Sequence, residues 1–185
     1  MVWLIVALGL LVAFGPIVWL MPSRRDRQLA KLREAARRAG LVVELVRVPV
    51  LDARPEERVS AGGVARDAQR ACTAYRLPVH GLDDAAPDWF LLRDTASVDP
   101  LPGWAGHPER RPRGLPADAG PYWTRVGRAV AALAERCVAL ECSPAAVTWH
   151  WLENAGQRAP DEVVADIAES LHALAALQRE TVCEA

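Results

Sequence analysis

Hydrophobic positions along this chain follow three different rhythms. The first is continuous: residues 1–21 carry no charged side chain, and Ser23-Arg24-Arg25-Asp26-Arg27 follows just beyond them. Roughly 20 apolar residues rising about 1.5 Å each cross a hydrocarbon core of about 30 Å. Residues 1–22 are therefore expected to form a transmembrane anchor. A cleaved secretory signal fits less well. No Lys or Arg precedes the run, and it exits through Trp19-Leu20-Met21-Pro22 rather than a small-x-small site. Trp3 and Trp19 stand near its two ends, at the headgroup level that indole rings favour.

Beyond Pro22 the rhythm turns helical. Ser23 is placed to cap a helix through its hydroxyl, and Arg24 to Ala39 is a run of strong helix formers closed by Gly40. Residues 23–40 thus read as a basic juxtamembrane helix. Leu29, Leu32, Ala36 and Ala39 share one side, and Arg24, Arg27, Lys31 and Arg38 another. Such a helix either rests on the anionic inner leaflet, at about 1 kcal/mol per basic residue near the surface, or serves as a plain stalk.

The third rhythm is the alternation of strands. Leu41 to Val50 is rich in β-branched residues and apolar on both faces, which suits an inner strand. Asp52 to Gln69 is a polar connection with Pro55 and Gly62-Gly63. Ala71 to Val79 alternates through Thr73, Tyr75, Leu77 and Val79, and Trp89-Phe90-Leu91-Leu92 is a short third strand. Together they predict an antiparallel meander. Ala146 to Leu152 alternates again, with Val147, Trp149 and Trp151 on one face and Thr148 and His150 on the other. Two helices complete the pattern. One runs from Tyr122 through Val126, Val130, Leu133, Cys137 and Leu140 to a stop at Ser143-Pro144. The other opens at Pro160-Asp161-Glu162, runs through Val164, Ile167, Leu171 and Leu174, and is expected to fray after Arg179.

The expected fold is therefore α+β. An N-terminal transmembrane helix and a basic juxtamembrane helix precede a mostly antiparallel sheet of about four strands with two packed helices. Residues 41–180 form one domain, interrupted by a Pro/Arg-rich loop at 94–120. That loop holds Pro100, Pro102, Pro108, Pro112 and Pro116; loops so long are functional or mobile, and a solvated loop is the expectation. Its Trp104, Arg110, Arg111 and Arg113 are the candidates for contact with a partner protein.

Charge sets orientation more than chemistry. The chain has 22 Lys and Arg against 23 Asp and Glu, for a net charge of −1, which argues against a dedicated nucleic-acid binder. Arg24, Arg25, Arg27, Lys31, Arg33, Arg37 and Arg38 crowd just past the apolar run, opposed only by Asp26 and Glu34. Basic residues beside a membrane helix stay on the cytoplasmic side. The expected placement is thus a bacterial inner membrane, single-pass, with the N-terminus outside and the main domain in the cytoplasm. Arg24, Arg25, Arg27 and Lys31 would touch the lipid bilayer.

Candidate chemistry is sparse. No phosphate-loop, dinucleotide, zinc-protease or serine-hydrolase signature occurs, so no catalytic residue, cofactor or metal is expected. Cys137 and Cys142 are spaced too widely for a zinc pair, and Cys72, Cys137, Cys142 and Cys183 are expected as thiols in a reducing compartment. His150 is expected to be surface-facing, opposite a tryptophan-filled core. The leading function is a non-enzymatic accessory or interaction role within a membrane protein complex. The alternative is a membrane-tethered enzyme or ligand-binding domain using Cys142 and His150, together with the loop around Trp104 and His107.

The apolar span, the Pro22-Ser23-Arg24-Arg25 junction and the helix to Gly40, with Val59-Ser60-Ala61-Gly62-Gly63-Val64 further on, resemble the YajC family. That family is a small accessory subunit of the bacterial preprotein translocase, and its V-x-T-x-G-G-I turn is the counterpart of the last segment. The resemblance covers about the first third of the chain and implies association with protein export, with no catalytic residue. An extra strand before the Gly-Gly turn, the lack of a Gly-x-Val continuation after Val64, and the two C-terminal helices depart from it.

Overall fold

The computed structural model describes residues 3, 23–51, 53–59, 62–64, 67–131 and 137–184. The chain divides into two units, residues 1–31 and residues 32–185. In the first, the described residues open helix α1 (Arg24–Arg38). Ser23 caps it as expected: the Asp26 amide donates to Ser23 Oγ at 3.1 Å, and the Ser23 amide donates back to Asp26 Oδ2 at 3.0 Å. The Ser23 hydroxyl, which donates to Asp26 Oδ2 at 2.7 Å, and then the Ser23 amide lower the Asp26 pKa.

The expected anchor over residues 1–22 lies outside the described residues, Trp3 excepted. Among the described residues no helix is long and apolar enough to cross a membrane. The expectation of a transmembrane, single-pass fold is corrected accordingly: the described fold is α+β without a membrane-spanning helix.

Among the described residues the second unit is built on a six-stranded antiparallel sheet, not one of about four strands. Its strands are β1 (Val42–Pro49), β2 (Gln69–Pro78), β3 (Trp89–Arg93), β4 (Trp104–Gly106), β5 (Cys137–Ser143) and β6 (Ala146–Trp151), in the spatial order β1-β2-β6-β5-β3-β4. The meander is also corrected. The β5-β6 hairpin inserts between β2 and β3, so β3 pairs with β5 rather than β2. Strand β1 is an edge and not an inner strand, because among the described residues β2 is its only partner.

Register fixes two faces. Tyr75 opposes Trp149, which opposes Leu140, which opposes Leu91; Leu77, Val147, Cys142 and Trp89 form the next row. This face meets the helices. Helix α2 (Gly120–Val130) buries Tyr122, Trp123, Val126 and Val130. Its Tyr122 hydroxyl accepts a 2.7 Å bond from Trp89 Nε1, and its Trp123 stacks edge-on against Trp89. Helix α3 (Pro160–Glu184) packs on β6, β2 and α2, burying Val163, Ile167, Leu171 and Leu174. It continues to Glu184, where fraying after Arg179 was expected. Truncating a buried tryptophan costs about 3–5 kcal/mol, so the fold is most sensitive along the Trp89, Trp149 and Trp151 rows.

Within this unit the C-terminal half of α1 is anchored electrostatically. Arg33 grips Glu153 with Nε at 2.9 Å and Nη2 at 2.5 Å, and Tyr75 donates its hydroxyl to the same carboxylate at 3.2 Å. Glu153 is buried and sits at φ 50°. Its backbone turns the chain out of β6 while its carboxylate gathers Arg33 and Tyr75.

The predicted helix over 122–140 stops at Val130, and 137–143 is a strand. Cys137, Leu140 and Ser143 satisfy a three-residue step, but burial follows the strand pattern, with Cys137, Ala139, Leu140 and Cys142 inside. Pairing with β6 on one side and β3 on the other satisfies the backbone of β5 twice over. The 94–120 segment is likewise ordered in part, since it contains β4 and buries Trp104.

Candidate functional site

The opposite face of the sheet carries Val48, Cys72, Phe90, Leu92 and Ala139 as a small apolar cluster. His150 belongs to this face, because it opposes Ala74 and Ala139. It is not surface-facing: only 4 % of the residue is exposed, and neither ring nitrogen has a hydrogen-bond partner. The ring lies 5.4 Å from that of Phe90, and His107 meets Phe90 edge-on at 5.1 Å. A phenylalanine thus separates the two histidines.

Beside His150 stands Glu141, opposite Thr148 and Phe90 in the ladder. Arg110 reaches it from the loop, with Nη1 donating to Glu141 Oε1 at 2.6 Å and Nη2 to Asp88 Oδ1 at 3.2 Å. The guanidinium carbon also lies 5.3 Å from the Phe90 ring centre. His150 Nε2 is 3.6 Å from Glu141 Oε2, too far for a hydrogen bond but close enough to act on its charge. Burial alone raises the Glu141 pKa. The His150 imidazole and the Arg110 guanidinium outweigh it and hold the carboxyl at about 2. One cation thereby holds two carboxylates, and the 107–113 strap is fastened across Phe90.

This arrangement clamps the strap and assembles no reactive group. Cys142 and His150 lie on opposite faces: Cys142 opposes Val147, three residues along β6 from His150. Burial pushes the Cys142 and Cys137 thiols up, and the Cys72 thiol up to about 11. All three therefore stay protonated at neutral pH, which makes them poor nucleophiles and poor ligands. Among the described residues no group of three or more His, Cys, Asp or Glu is placed to hold a metal ion.

The residues singled out for partner contact separate. Trp104 is 1 % exposed, under the Arg93 guanidinium, and cannot meet a partner. Arg110 is half-buried in its ion pairs. Arg111 and Arg113 are exposed, as are Arg24, Arg25, Arg27 and Lys31 on α1. A cleft of about 530 Å³ is lined by Arg47, Leu51, Arg58, Gln69 and His107 among others. Its walls mix cations, acids and amides without converging on one point.

An exposed apolar feature lies at the sheet edge. Strand β1 runs eight residues, pairs with β2 through all of them, and shows no bulge. Leu45 is 74 % exposed and Val42 43 %. Natural edges are blunted by charged side chains, proline, bulges or short length; β1 is long and unbulged, and its protection is limited to Glu44, Arg47 and, at its end, Pro49. Sequence reasoning missed this feature because apolarity on both faces is shared by inner strands and by sticky edges. Comparison with family models, with characterised proteins and with solved structures finds no match.

Proposed function

We propose that residues 32–185 form a non-enzymatic interaction domain that engages its partner through strand addition at β1. The observation that supports this is the eight-residue edge with Leu45 held out in solvent. An unpaired row of N–H and C=O groups is a template for an extended segment, with main-chain bonds supplying affinity and flanking side chains supplying specificity. The burial of the three strand cysteines and the split between Cys142 and His150 weigh in the same direction. A photo-activatable cross-linking residue at position 45 of the full chain, at native expression, tests the reading. A covalent adduct is expected from position 45 and none from position 165, on the exposed side of α3. If 43, 45 and 47 all fail to yield an adduct, β1 is not a docking edge.

A further inference from the structure

We infer that the start of α1 is a docking site for an anionic lipid surface, held through Arg24, Arg25, Arg27 and Lys31. Charge is divided unequally along the chain. Residues 1–31 hold these four cations against Asp26 alone, a net of +3, which leaves −4 on residues 32–185. With −1 on the whole chain, an anionic surface has no general attraction for it. Such a surface attracts the first unit and repels the second.

Helix stability does not account for these charges. All four side chains are exposed, and among the described residues none makes a salt bridge. Cations in a first turn oppose the helix dipole, which sets Arg24, Arg25 and Arg27 against the helix they open. The other end of α1 is built differently. There Arg37 and Arg38 complement the dipole, and Arg38 Nη2 donates to Asp161 Oδ1 at 2.9 Å. Lys31 lies about 10 Å of helix rise beyond Arg24, roughly one Debye length at physiological salt. A surface meeting the start of α1 therefore feels all four cations together.

Lipid suits this cluster better than nucleic acid or an acidic protein because of what precedes it. Residues 1–21 carry no charged side chain, and Trp3 is 85 % exposed. Indole rings favour the headgroup level of a bilayer, whereas nucleic-acid binding calls for a strongly basic domain.

Vesicle partition of the full chain tests the site. The chain would be diluted from mild detergent into titrations of two vesicle types, phosphatidylcholine alone and phosphatidylcholine with about one-third phosphatidylserine. The uncharged vesicles supply the baseline set by apolar residues. Each basic residue beside an anionic leaflet strengthens binding about five-fold. A net of +3 is therefore expected to favour the anionic vesicles on the order of a hundred-fold, falling towards parity in high salt. Arg24→Gln, Arg25→Gln, Arg27→Gln and Lys31→Gln together should abolish the preference, with the helical circular-dichroism signal retained. Arg111→Gln, Arg113→Gln, Arg128→Gln and Arg179→Gln together alter exposed arginines elsewhere; they lower the net charge equally and should leave the preference in place. Equal partition of the wild-type chain into both vesicles, or a preference that survives the first set, overturns the inference. Equal loss in the second set also overturns it, because net charge would then be the cause. A photo-cross-linker at position 27 that captures protein or nucleic acid in cells, and never lipid, does the same. Position 27 reports on α1 and position 45 on β1, so either site can fail alone.

Discussion

At the scale of single residues, the most consequential group is Glu141. Its carboxyl ionises near 2 in the folded chain, well below its ordinary value of 4.5. The folded state therefore favours the anion, and the stability this contributes is fully present above about pH 4.5 and drains away as pH falls towards 2. Denaturant unfolding across that window should show wild-type stability declining. Glu141→Gln, which keeps an oxygen for Arg110 but no charge, should flatten that part of the profile. An unchanged slope in the variant would mean that Arg110 and His150 do not set this ionisation. None of this was legible beforehand. Arg110 and Glu141 are 31 positions apart, and no local pattern links a loop arginine to a lone acid in an apolar strand. His150 was placed correctly opposite the tryptophans, because strand alternation is a local property. Its burial was not, because the cover comes from packing around Phe90 and from a loop distant in sequence.

At the scale of elements, the loop that carries Arg110 is held by its backbone as well as by charge. Asp88 and Arg113 exchange main-chain hydrogen bonds at 3.0 and 2.8 Å, and Gly114 follows at φ +62°. A Cβ added there would stand 2.4 Å from the Ala85 carbonyl oxygen and 2.5 Å from that of Ala86. Neither backbone oxygen can swing aside. Gly114→Ala is therefore expected to destabilise the domain by about 2 kcal/mol or more, read from the denaturation midpoint; a shift within error would mean the strap yields freely. Elements with a single strong rhythm were readable in the sequence. The alternation of Thr73, Tyr75 and Leu77, that of Val147, Trp149 and Trp151, and the Pro160 start of α3 all name the structure they adopt. Strand β5 was not readable, since its apolar positions fit a helix and a strand equally and only neighbours on both sides decide. Strand β4, three residues among prolines, left no periodic trace.

For the molecule as a whole, burial sorts the cysteines. Cys72, Cys137 and Cys142 are enclosed and Cys183 is exposed. A thiol reagent should therefore modify one thiol rapidly in the native chain and all four in denaturant; fast native labelling of a second thiol would contradict the packing of the sheet. The strand order was the least legible feature of all, because which strand neighbours which is settled by contacts far apart in sequence. That same order bears on how the chain is made. Strand β2 ends at Pro78 and its neighbour β6 begins at Ala146, while β3 ends at Arg93 and awaits β5 from Cys137. During synthesis the early strands leave the ribosome with one flank bare until the final hairpin slots between them. Such distant pairing is slow to form and prone to stray association meanwhile. Nascent chains halted before residue 137 should therefore depend on holding chaperones far more than those released after Trp151.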